Sequence, residues 1–262
     1  MVWFRCRERR ELGGMNNSDA SLAGRTAIVT GSTSGIGAAI ATALTAAGVE
    51  VVVSGRDAAR GASVGAAHYV PVDLAGPYAG IRDFAATATD LLGGRVDILV
   101  NNAGIYPATP TAALADHDLD AMLAVNVRAP HVLVGALAPA MAERGSGVII
   151  NVGSWMSRVG VPFAAMYTAT KAAIEQMTRT WSAEFGPAGV RVNTVAPGVT
   201  LTPGNEAFRE AMDQQTAGTP AGVVLRPHHI AAGVVFLVSD AAAMIHGTSL
   251  DIDGGIVATR LG

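Results

Sequence analysis

The chain has 262 residues, half of them hydrophobic and only 15% charged, a balance that supports a well-buried core and excludes a disordered chain. A net charge of −3 provides no basic field for nucleic acid, so no nucleic-acid partner is expected. The single cysteine excludes a disulfide framework within the chain, the six scattered histidines show no metal-ligand spacing, and a cytoplasmic location is expected.

The first 20 residues are predicted to be a disordered leader ahead of one domain at 21–262. The stretch 1–14 is rich in arginine but has no apolar core, so it does not resemble a secretory signal, and Glu8 and Glu11 are atypical of a transit peptide. Met15 is an alternative first residue. No uninterrupted apolar run reaches the roughly 18 residues that a spanning helix needs, so no membrane association is expected.

From Thr26 onward, short β-branched runs alternate with alanine-rich stretches. The runs are almost continuously apolar, which is typical of strands covered on both faces. The predicted strands lie at 27–29, 51–53, 69–72, 98–100, 148–152, 190–195 and 249–252. The predicted helices lie at 37–47, 81–92, 116–144, 167–185 and 227–238. This alternation indicates an α/β protein with a Rossmann-like, doubly wound parallel sheet in a single domain.

Two segments depart from the alternation. The stretch 199–227 is rich in Thr, Pro and Gly and is predicted to be a long binding loop or lid. Between Arg56 and Asp73, the presence of Gly61 and Gly65 predicts a truncated or irregular helix.

A glycine-rich turn follows the first predicted strand and leads into the first helix, a context that favours phosphate binding. The turn reads Thr30-Gly31-Ser32-Thr33-Ser34-Gly35-Ile36-Gly37. Gly31 permits the tight turn, Gly35 lets the backbone approach a diphosphate, and Gly37 lets the helix pack close to the sheet. The helix N-terminus offers free N–H groups to phosphate. The alternative is a glycine-rich turn that binds no ligand.

Tyr167 and Lys171 are four residues apart in a predicted helix, so both project from one face. A lysine ammonium near a phenol favours the phenolate, and we expect Lys171 to lower the pKa of Tyr167 enough for proton transfer. Ser154 follows the strand at 148–152 and is expected to hydrogen-bond the substrate oxygen. Taken alone, the pair also fits an aromatic anchor with a solvated lysine.

Further short motifs occur in a fixed order along the chain. They are Thr30-Gly31-x-x-x-Gly35-Ile36-Gly37, Asp73-Leu74, Asn101-Asn102-Ala103-Gly104, Val125-Asn126-Val127, Ser154, Tyr167-Thr168-Ala169-Thr170-Lys171, Pro197-Gly198 and Asp251-Ile252-Asp253-Gly254-Gly255. In this ordered combination, over about 22–257, the chain resembles the short-chain dehydrogenase/reductase family in its single-domain form.

The resemblance implies a role for each catalytic position. Tyr167 would be the general acid in reduction and the general base in oxidation. Lys171 would depress the pKa of Tyr167 and bond the nicotinamide ribose, and Ser154 would stabilise the charge developing on the carbonyl oxygen. Asn126 would hold a water that joins Lys171 to a proton relay; the alternative is a buried asparagine that bonds backbone.

The resemblance also implies a set of cofactor contacts. These residues are Gly31, Ser32, Ser34, Gly35, Ile36, Gly37, Arg56, Asp73, Leu74, Asn102, Ala103, Gly104, Tyr167, Lys171, Pro197, Gly198, Thr200 and Thr202. Asp73 would contact the adenine, with a helix N-cap as its alternative role. Pro197 and Gly198 would face the carboxamide of the nicotinamide. Thr200 replaces an aliphatic residue that is usual in the family.

The end of the second strand predicts the cofactor preference. NAD-preferring relatives usually carry an aspartate at the position of Gly55, and Arg56 beside it has a guanidinium suited to a 2′-phosphate. NADP(H) is therefore the preferred cofactor. NAD(H) stays open through Asp57, which could bond the ribose or simply cap a helix beginning at Ala58.

The predicted activity is NADP(H)-dependent reduction of a fairly apolar ketone, aldehyde or 3-oxoacyl thioester. Candidate pocket residues are mostly apolar: Tyr106, Trp155, Met156, Phe163, Met166 and Phe208. Trp155 and Met156 fit core packing equally well. The alternatives are an NAD-dependent alcohol dehydrogenase of the same family and a non-catalytic nicotinamide-binding sensor or scaffold. The apolar surfaces of the helices at 116–144 and 167–185 indicate that each helix has a second packing partner. The resemblance implies that these helices pair across a two-fold axis in a homotetramer.

Overall fold

The computed structural model describes residues 22–66 and 68–258. All strands lie parallel in one sheet of seven, in the order β3-β2-β1-β4-β5-β6-β7. They are β1 (Thr26–Val29), β2 (Glu50–Gly55), β3 (His68–Pro71), β4 (Ile98–Asn101), β5 (Gly147–Val152), β6 (Val190–Pro197) and β7 (Ser249–Ile252). The predicted Rossmann-like single domain is thus confirmed, with each strand within two residues of its expected bounds.

Successive residues of the central strands pack into opposite layers, because side chains alternate across a strand. Ile28 and Leu99 contribute to the core on one face. Their neighbours Val29 and Val100 contribute to the core on the other. The nearly continuous apolar character of these strands therefore reflects burial on both faces.

Helices cover both faces of the sheet. They are α1 (Gly35–Ala46), α2 (Ala58–Ser63), α3 (Tyr78–Leu91), α4 (Asp116–Leu123), α5 (Ala129–Arg144), α6 (Ala165–Phe185), α7 (Arg209–Thr216) and α8 (Pro227–Val238). Helices α1 and α8 pack together on one side, and α3 packs against α5 on the other. The short α2 confirms the truncation expected between β2 and β3.

Two predictions needed correction. The helix expected at 116–144 is interrupted by one wide π-helical turn, Ala124–Arg128, which separates α4 from α5. The predicted loop at 199–227 contains α7, a mostly polar helix that buries Met212 and Thr216. Few apolar residues mark α7, which is why its periodicity did not stand out in the sequence.

The segment Asp116–Arg144 is long and apolar enough, by length and composition, to cross a membrane. No uninterrupted apolar run of spanning length marks this segment in the sequence, because Asn126, Arg128 and His131 divide it. Just over half of its most apolar stretch, 56%, is buried inside the fold. The same property is found in core helices of soluble proteins, and here Leu133, Leu137 and Met141 pack in the sheet core.

Candidate active site

The glycine-rich turn joins β1 to α1 at the carboxyl edge of the sheet, where the strand order switches from β2-β1 to β1-β4. Gly31 and Gly35 have φ of +60° and +56°, in the left-handed region that favours glycine. A Cβ on Gly31 would lie 2.8 Å from the Cα of Ala103, and one on Gly37 would lie 2.4 Å from the carbonyl oxygen of Gly31. The turn therefore packs directly against the backbone that follows β4.

Helix α1 starts with backbone donors that no side chain caps. Ser34 precedes the helix and makes no side-chain cap hydrogen bond to it. Ser34, Gly35, Ile36 and Gly37 all line a large cleft. First-turn N–H groups and the positive end of the helix dipole therefore border the cleft, an arrangement suited to a diphosphate.

Asn102 fastens the glycine turn to β4. Its Nδ2 donates to the carbonyl oxygens of Thr30 at 2.8 Å and Gly31 at 3.0 Å. The hydroxyl of Thr30 accepts from the backbone N–H groups of Asn102 and Ala103, both at 3.1 Å. Thr30 was not predicted as a site residue. Its position directly before Gly31, one residue after the end of β1, was the available signal.

The cleft has a volume of about 840 Å³, within the range of ligand pockets of roughly 300–1,000 Å³. Residues of the predicted cofactor set that line it are Gly31, Ser34, Gly35, Ile36, Gly37, Arg56, Asp73, Leu74, Asn102, Ala103, Gly104 and Thr202. The crowded glycines, the uncapped helix end and the size of the cleft together fit an extended dinucleotide.

Several predicted cofactor residues have internal partners instead. The buried hydroxyl of Ser32 donates to Val29 O at 2.6 Å and accepts from Ser54 N at 2.9 Å, tying β1 to β2. Thr200 Oγ1 donates to Gly198 O at 3.0 Å and is buried. Neither these residues nor Pro197 is among those that line the cleft. Their proposed cofactor contacts stay predictions.

Basic residues border the cleft next to β2. Arg56 and Arg60 both line it and are exposed. Within the described ranges, Arg56 has no ion pair or side-chain hydrogen bond, whereas the Nε of Arg60 lies 3.1 Å from an oxygen of Asp57. The other oxygen of Asp57 accepts from the backbone N–H of Arg60 at 3.1 Å. Asp57 is therefore the N-cap of α2, the structural role considered for it in the sequence.

Gly55 leaves no room for a side chain while the side chain of Thr33 keeps its present position. A Cβ there would lie 2.7 Å from Thr33 Cγ2 and 3.0 Å from its hydroxyl oxygen. An aspartate reading the ribose from this position does not fit unless Thr33 moves. Asp73, which also lines the cleft, accepts from Ala75 N at 3.0 Å and is not the cap of α3, which begins after Pro77.

Three of the four predicted catalytic side chains, Ser154, Tyr167 and Lys171, lie where β5 ends and α6 begins. Ser154 follows β5, is buried, and its Oγ accepts from Met156 N at 3.2 Å. Lys171 is buried and donates to Val152 O at 2.8 Å, with its Nζ 5.8 Å from the ring centroid of Tyr167.

Burial is the largest influence on the pKa values of Tyr167 and Lys171. Tyr167 as a residue is half-buried, but its hydroxyl lies deep enough that burial raises its pKa to about 12, against the opposing hydrogen bond with Ser154. Burial also lowers the pKa of Lys171 to about 8. This differs from the expectation that Lys171 lowers the pKa of Tyr167, because desolvation of the phenol by burial outweighs the hydrogen bond that lowers its pKa.

Asn126 lies in the π-helical turn and is almost fully buried. Its Oδ1 accepts from Ile105 N at 2.9 Å, and its Nδ2 donates to Ile105 O at 3.0 Å and Thr170 Oγ1 at 3.1 Å. The side chain therefore bonds backbone, as in the alternative considered for it, and clamps the segment after β4 to α6. Its role in a water relay stays a prediction.

A second cavity of about 310 Å³ opens beside Tyr167. Its other lining residues are Pro107, Thr109, Thr111, Leu114, Asp116, Leu119, Met122, Phe163, Ala164, Ala165 and Met166. Phe163 and Met166 were predicted here. The residues of α4 were missed, since nothing in the sequence places that helix beside Tyr167.

The remaining predicted pocket residues, Trp155, Met156, Tyr106 and Phe208, do not line the small cavity. Trp155 packs with Val199, Leu201 and Met212 in a small apolar cluster, with Met156 against it, so core packing describes both. Tyr106 stacks on Tyr167 with ring centroids 4.4 Å apart. Phe208 is exposed in the turn before α7.

A buried acidic group behind Ser154 was not predicted. Glu175, two helical turns after Tyr167 on α6, lies 2.6 Å from the hydroxyl of Ser157 and 3.6 Å from Arg158 Nε. The Ser157 hydroxyl also lies 2.7 Å from Ser154 O. Arg158 pairs in turn with Asp251 of β7 at 2.5 Å. These contacts tie the serine loop to α6 and to the edge strand.

Comparison with known proteins gives consistent matches over most of the chain. A family model described as enoyl-(acyl carrier protein) reductase matches residues 31–257. The D-threitol dehydrogenase of Mycolicibacterium smegmatis is 37% identical over 254 residues, which cover 90% of this chain and 94% of that protein.

Solved structures agree with this. A short chain dehydrogenase/reductase family protein is 43% identical with a TM-score of 0.83, covering 91% of this chain and 100% of that one. A gluconate 5-dehydrogenase from Burkholderia cenocepacia J2315 in complex with NADP and tartrate is 32% identical with a TM-score of 0.87, covering 94% and 100%. With its ordered motifs, its parallel sheet and these matches, the chain belongs to the short-chain dehydrogenase/reductase family and is an NAD(P)-dependent oxidoreductase.

Proposed function

We propose that the protein is an NADP(H)-dependent reductase of a small, fairly apolar ketone or aldehyde. The observation that carries this proposal is the position of the Tyr167–Lys171 pair between two cavities. Tyr167 lines the smaller, mostly apolar cavity. Lys171 Nζ lies 3.3 Å from the point that a Cβ of Gly104 would occupy, and Gly104 lines the dinucleotide cleft. One helical turn thus joins a substrate site to a cofactor site.

Each group of the proposed active site has a separate role in the reduction. Bound NADPH would supply the hydride to the carbonyl carbon. Tyr167, held as a neutral phenol by a pKa of about 12, donates its proton to the carbonyl oxygen, which becomes the alcohol hydroxyl. Ser154 hydrogen-bonds the same oxygen as charge develops on it. A neutral phenol at physiological pH suits the reductive direction, because oxidation needs the phenolate as base.

The preference for NADP(H) is supported by charge and space at the end of β2. Arg56 and Arg60 are exposed on the cleft wall, and both oxygens of Asp57 are engaged by Arg60. Gly55 cannot carry an acidic side chain without displacing Thr33. A 2′-phosphate would therefore meet two guanidinium groups, while a free 2′-hydroxyl would find no available carboxylate at position 55.

Titration of both cofactors tests this preference. Charge-assisted contacts to phosphate contribute roughly 1.5–3 kcal/mol, so R56A is expected to weaken NADPH binding about 10- to 100-fold while leaving the Kd for NADH nearly unchanged. R60A should act in the same direction. R82A, an exposed arginine on α3 outside the residues lining the cleft, is the matched control. Tighter binding of NADH than NADPH by the wild-type protein would overturn the assignment.

The small cavity supports a compact substrate. Its volume of about 310 Å³ is at the lower end of the roughly 300–1,000 Å³ range of ligand pockets, so a ketone or aldehyde is better supported than a long 3-oxoacyl thioester. Polar groups at Thr109, Thr111 and Asp116 in the same cavity support a second candidate, a hydroxylated ketone or polyol. Turnover of methyl ketones and of small ketoses, followed by nicotinamide absorbance, separates the two.

The assembly and location are part of the same proposal. A homotetramer in the cytoplasm is supported by exposed apolar side chains on helices, including Leu123 on α4, and by the single cysteine of the chain. The stretch 1–14, which lies outside the described residues, is proposed to be dispensable for both stability and catalysis.

A further inference from the structure

Phe163 adopts a backbone conformation that is unfavourable for its residue type. Its φ is +64°, and among the described residues it is the one non-glycine with positive φ. The left-handed region is open to glycine, but for a bulky side chain it is a genuine outlier that persists only where surrounding structure enforces it. Its carbonyl oxygen accepts from Thr109 N at 3.0 Å, which joins the loop before α6 to the loop after β4.

Core packing does not offset this strain. The Phe163 side chain is 60% exposed. It nevertheless lines the small cavity, together with Met166, Leu119 and the catalytic Tyr167. A strained residue that is exposed and lines a catalytic cavity is typical of a ligand contact, since strain of this kind clusters at functional sites.

The geometry points to Phe163 as a specificity-determining residue whose ring forms an apolar wall of the substrate site. The wall would take the hydrocarbon flank of a ketone or secondary alcohol whose reacting carbon lies at Tyr167. This inference rests on the proposed reductase function and names the part of the substrate that the cavity recognises. The left-handed backbone at Phe163 is held from one side by the hydrogen bond from Thr109 N to its carbonyl oxygen.

Two substitutions at Phe163 distinguish the effect of the aromatic ring from the effect of the strained backbone. F163A removes the ring and keeps a Cβ in the left-handed region, whereas F163G removes both. F163G is therefore expected to melt about 2–4 °C above F163A. Both variants should lose about tenfold or more in kcat/KM for methyl ketones of five to eight carbons, mainly through KM, because each buried methylene contributes to discrimination. Small ketoses should lose much less, and the Kd of NADPH should not change.

F236A removes a comparably exposed ring on α8, outside the residues that line either cavity, and is expected to keep wild-type kinetics. F163L keeps an apolar side chain and should retain most of the preference for alkyl ketones. Equal losses on ketoses and methyl ketones, unchanged kinetics in F163A, or a melting temperature of F163G at or below that of F163A would each overturn the inference while leaving the reductase function intact. A wild-type enzyme that binds NADPH but turns over neither class of ketone would overturn both.

Discussion

Burial acts on Tyr167 and Lys171 in the same sense, because it favours the uncharged form of each. It raises the pKa of the phenol to about 12 and lowers that of the ammonium to about 8. At neutral pH the phenol therefore holds its proton and the lysine still carries its charge. This pair of protonation states is the one that proton donation to a carbonyl requires.

Tyr167→Phe is expected to lower kcat by about 10²- to 10⁴-fold, because it removes the proton donor and retains the ring. Stacking on Tyr106 and the Kd of NADPH should be unchanged. Steady-state kinetics and cofactor titration measure the two effects. Activity within a few-fold of the wild type would contradict the assignment of Tyr167 as the acid.

Lys171 is the only lysine in the sequence. Labelling with [ε-¹³C]lysine should therefore give a single side-chain NMR resonance, and its titration midpoint is expected at about 8 instead of the usual 10.5. A midpoint above 10 would show that the ammonium is solvated and would contradict its burial.

The lowered pKa also predicts how stability depends on pH. Between pH 8 and 10.5 the unfolded chain binds more protons at Lys171 than the folded chain, so the free energy of unfolding rises with pH across this window. The penalty is complete below pH 8, where it amounts to about 3 kcal/mol for this shift. K171M lacks this titration and should melt above the wild type at pH 7, with the gap narrowing by pH 10. A gap that stays constant from pH 7 to 10 would contradict this account.

At the scale of elements, the cofactor cleft depends on the contact between the β1–α1 turn and the backbone after β4. That contact leaves no room for a side chain at Gly31. Helix α8 is attached to β6 by side-chain hydrogen bonds. The buried guanidinium of Arg191, on β6, donates to the carbonyl oxygens of Leu237, Val238 and Ser239 at the end of α8. A cation at a helix C-terminus is stabilising, because it interacts with the negative end of the helix dipole.

Gly31→Ala is expected to destabilise the fold by roughly 1–3 kcal/mol and to weaken NADPH binding, because its φ is +60° and its Cβ would approach Ala103 Cα to 2.8 Å. Gly80→Ala in α3 is the matched control, since nothing lies within 4 Å of its Cβ. It should be neutral or stabilising by about 0.5–1 kcal/mol. Urea denaturation of the two variants provides the comparison, and equal stability of both would contradict the steric argument.

At the scale of the whole molecule, the sheet core is complete within one chain, but large apolar side chains stay exposed on its helices. Leu123 on α4 is 40% exposed, although the same helix buries Met122. Surface apolar groups on a helix that also faces the core suggest a second partner.

Light scattering at micromolar concentration is expected to give a symmetric tetramer. Leu123→Glu, on the helix assigned to the interface, should dissociate it, whereas Leu91→Glu should not. A wild-type monomer at this concentration would count decisively against the assembly.

The sequence alone determined the fold and the order of the catalytic motifs, because both are encoded locally. Continuous β-branched runs are what strands buried on both faces require, and Tyr167 and Lys171 share a helical face by spacing alone. The glycine turn was equally readable, since only glycine satisfies positive φ and close backbone contact at Gly31.

Only the tertiary structure decided which side chains converge from distant parts of the chain. It brought α4 to the cavity beside Tyr167, gave Ser32 and Asn126 internal hydrogen-bond partners, and placed Arg60 beside Arg56. It also decided the protonation of the catalytic pair, because desolvation depends on every group packed around an atom and not on its neighbours in sequence. A lysine four residues from a tyrosine suggests a lowered phenol pKa, but the depth of their shared burial reversed that expectation.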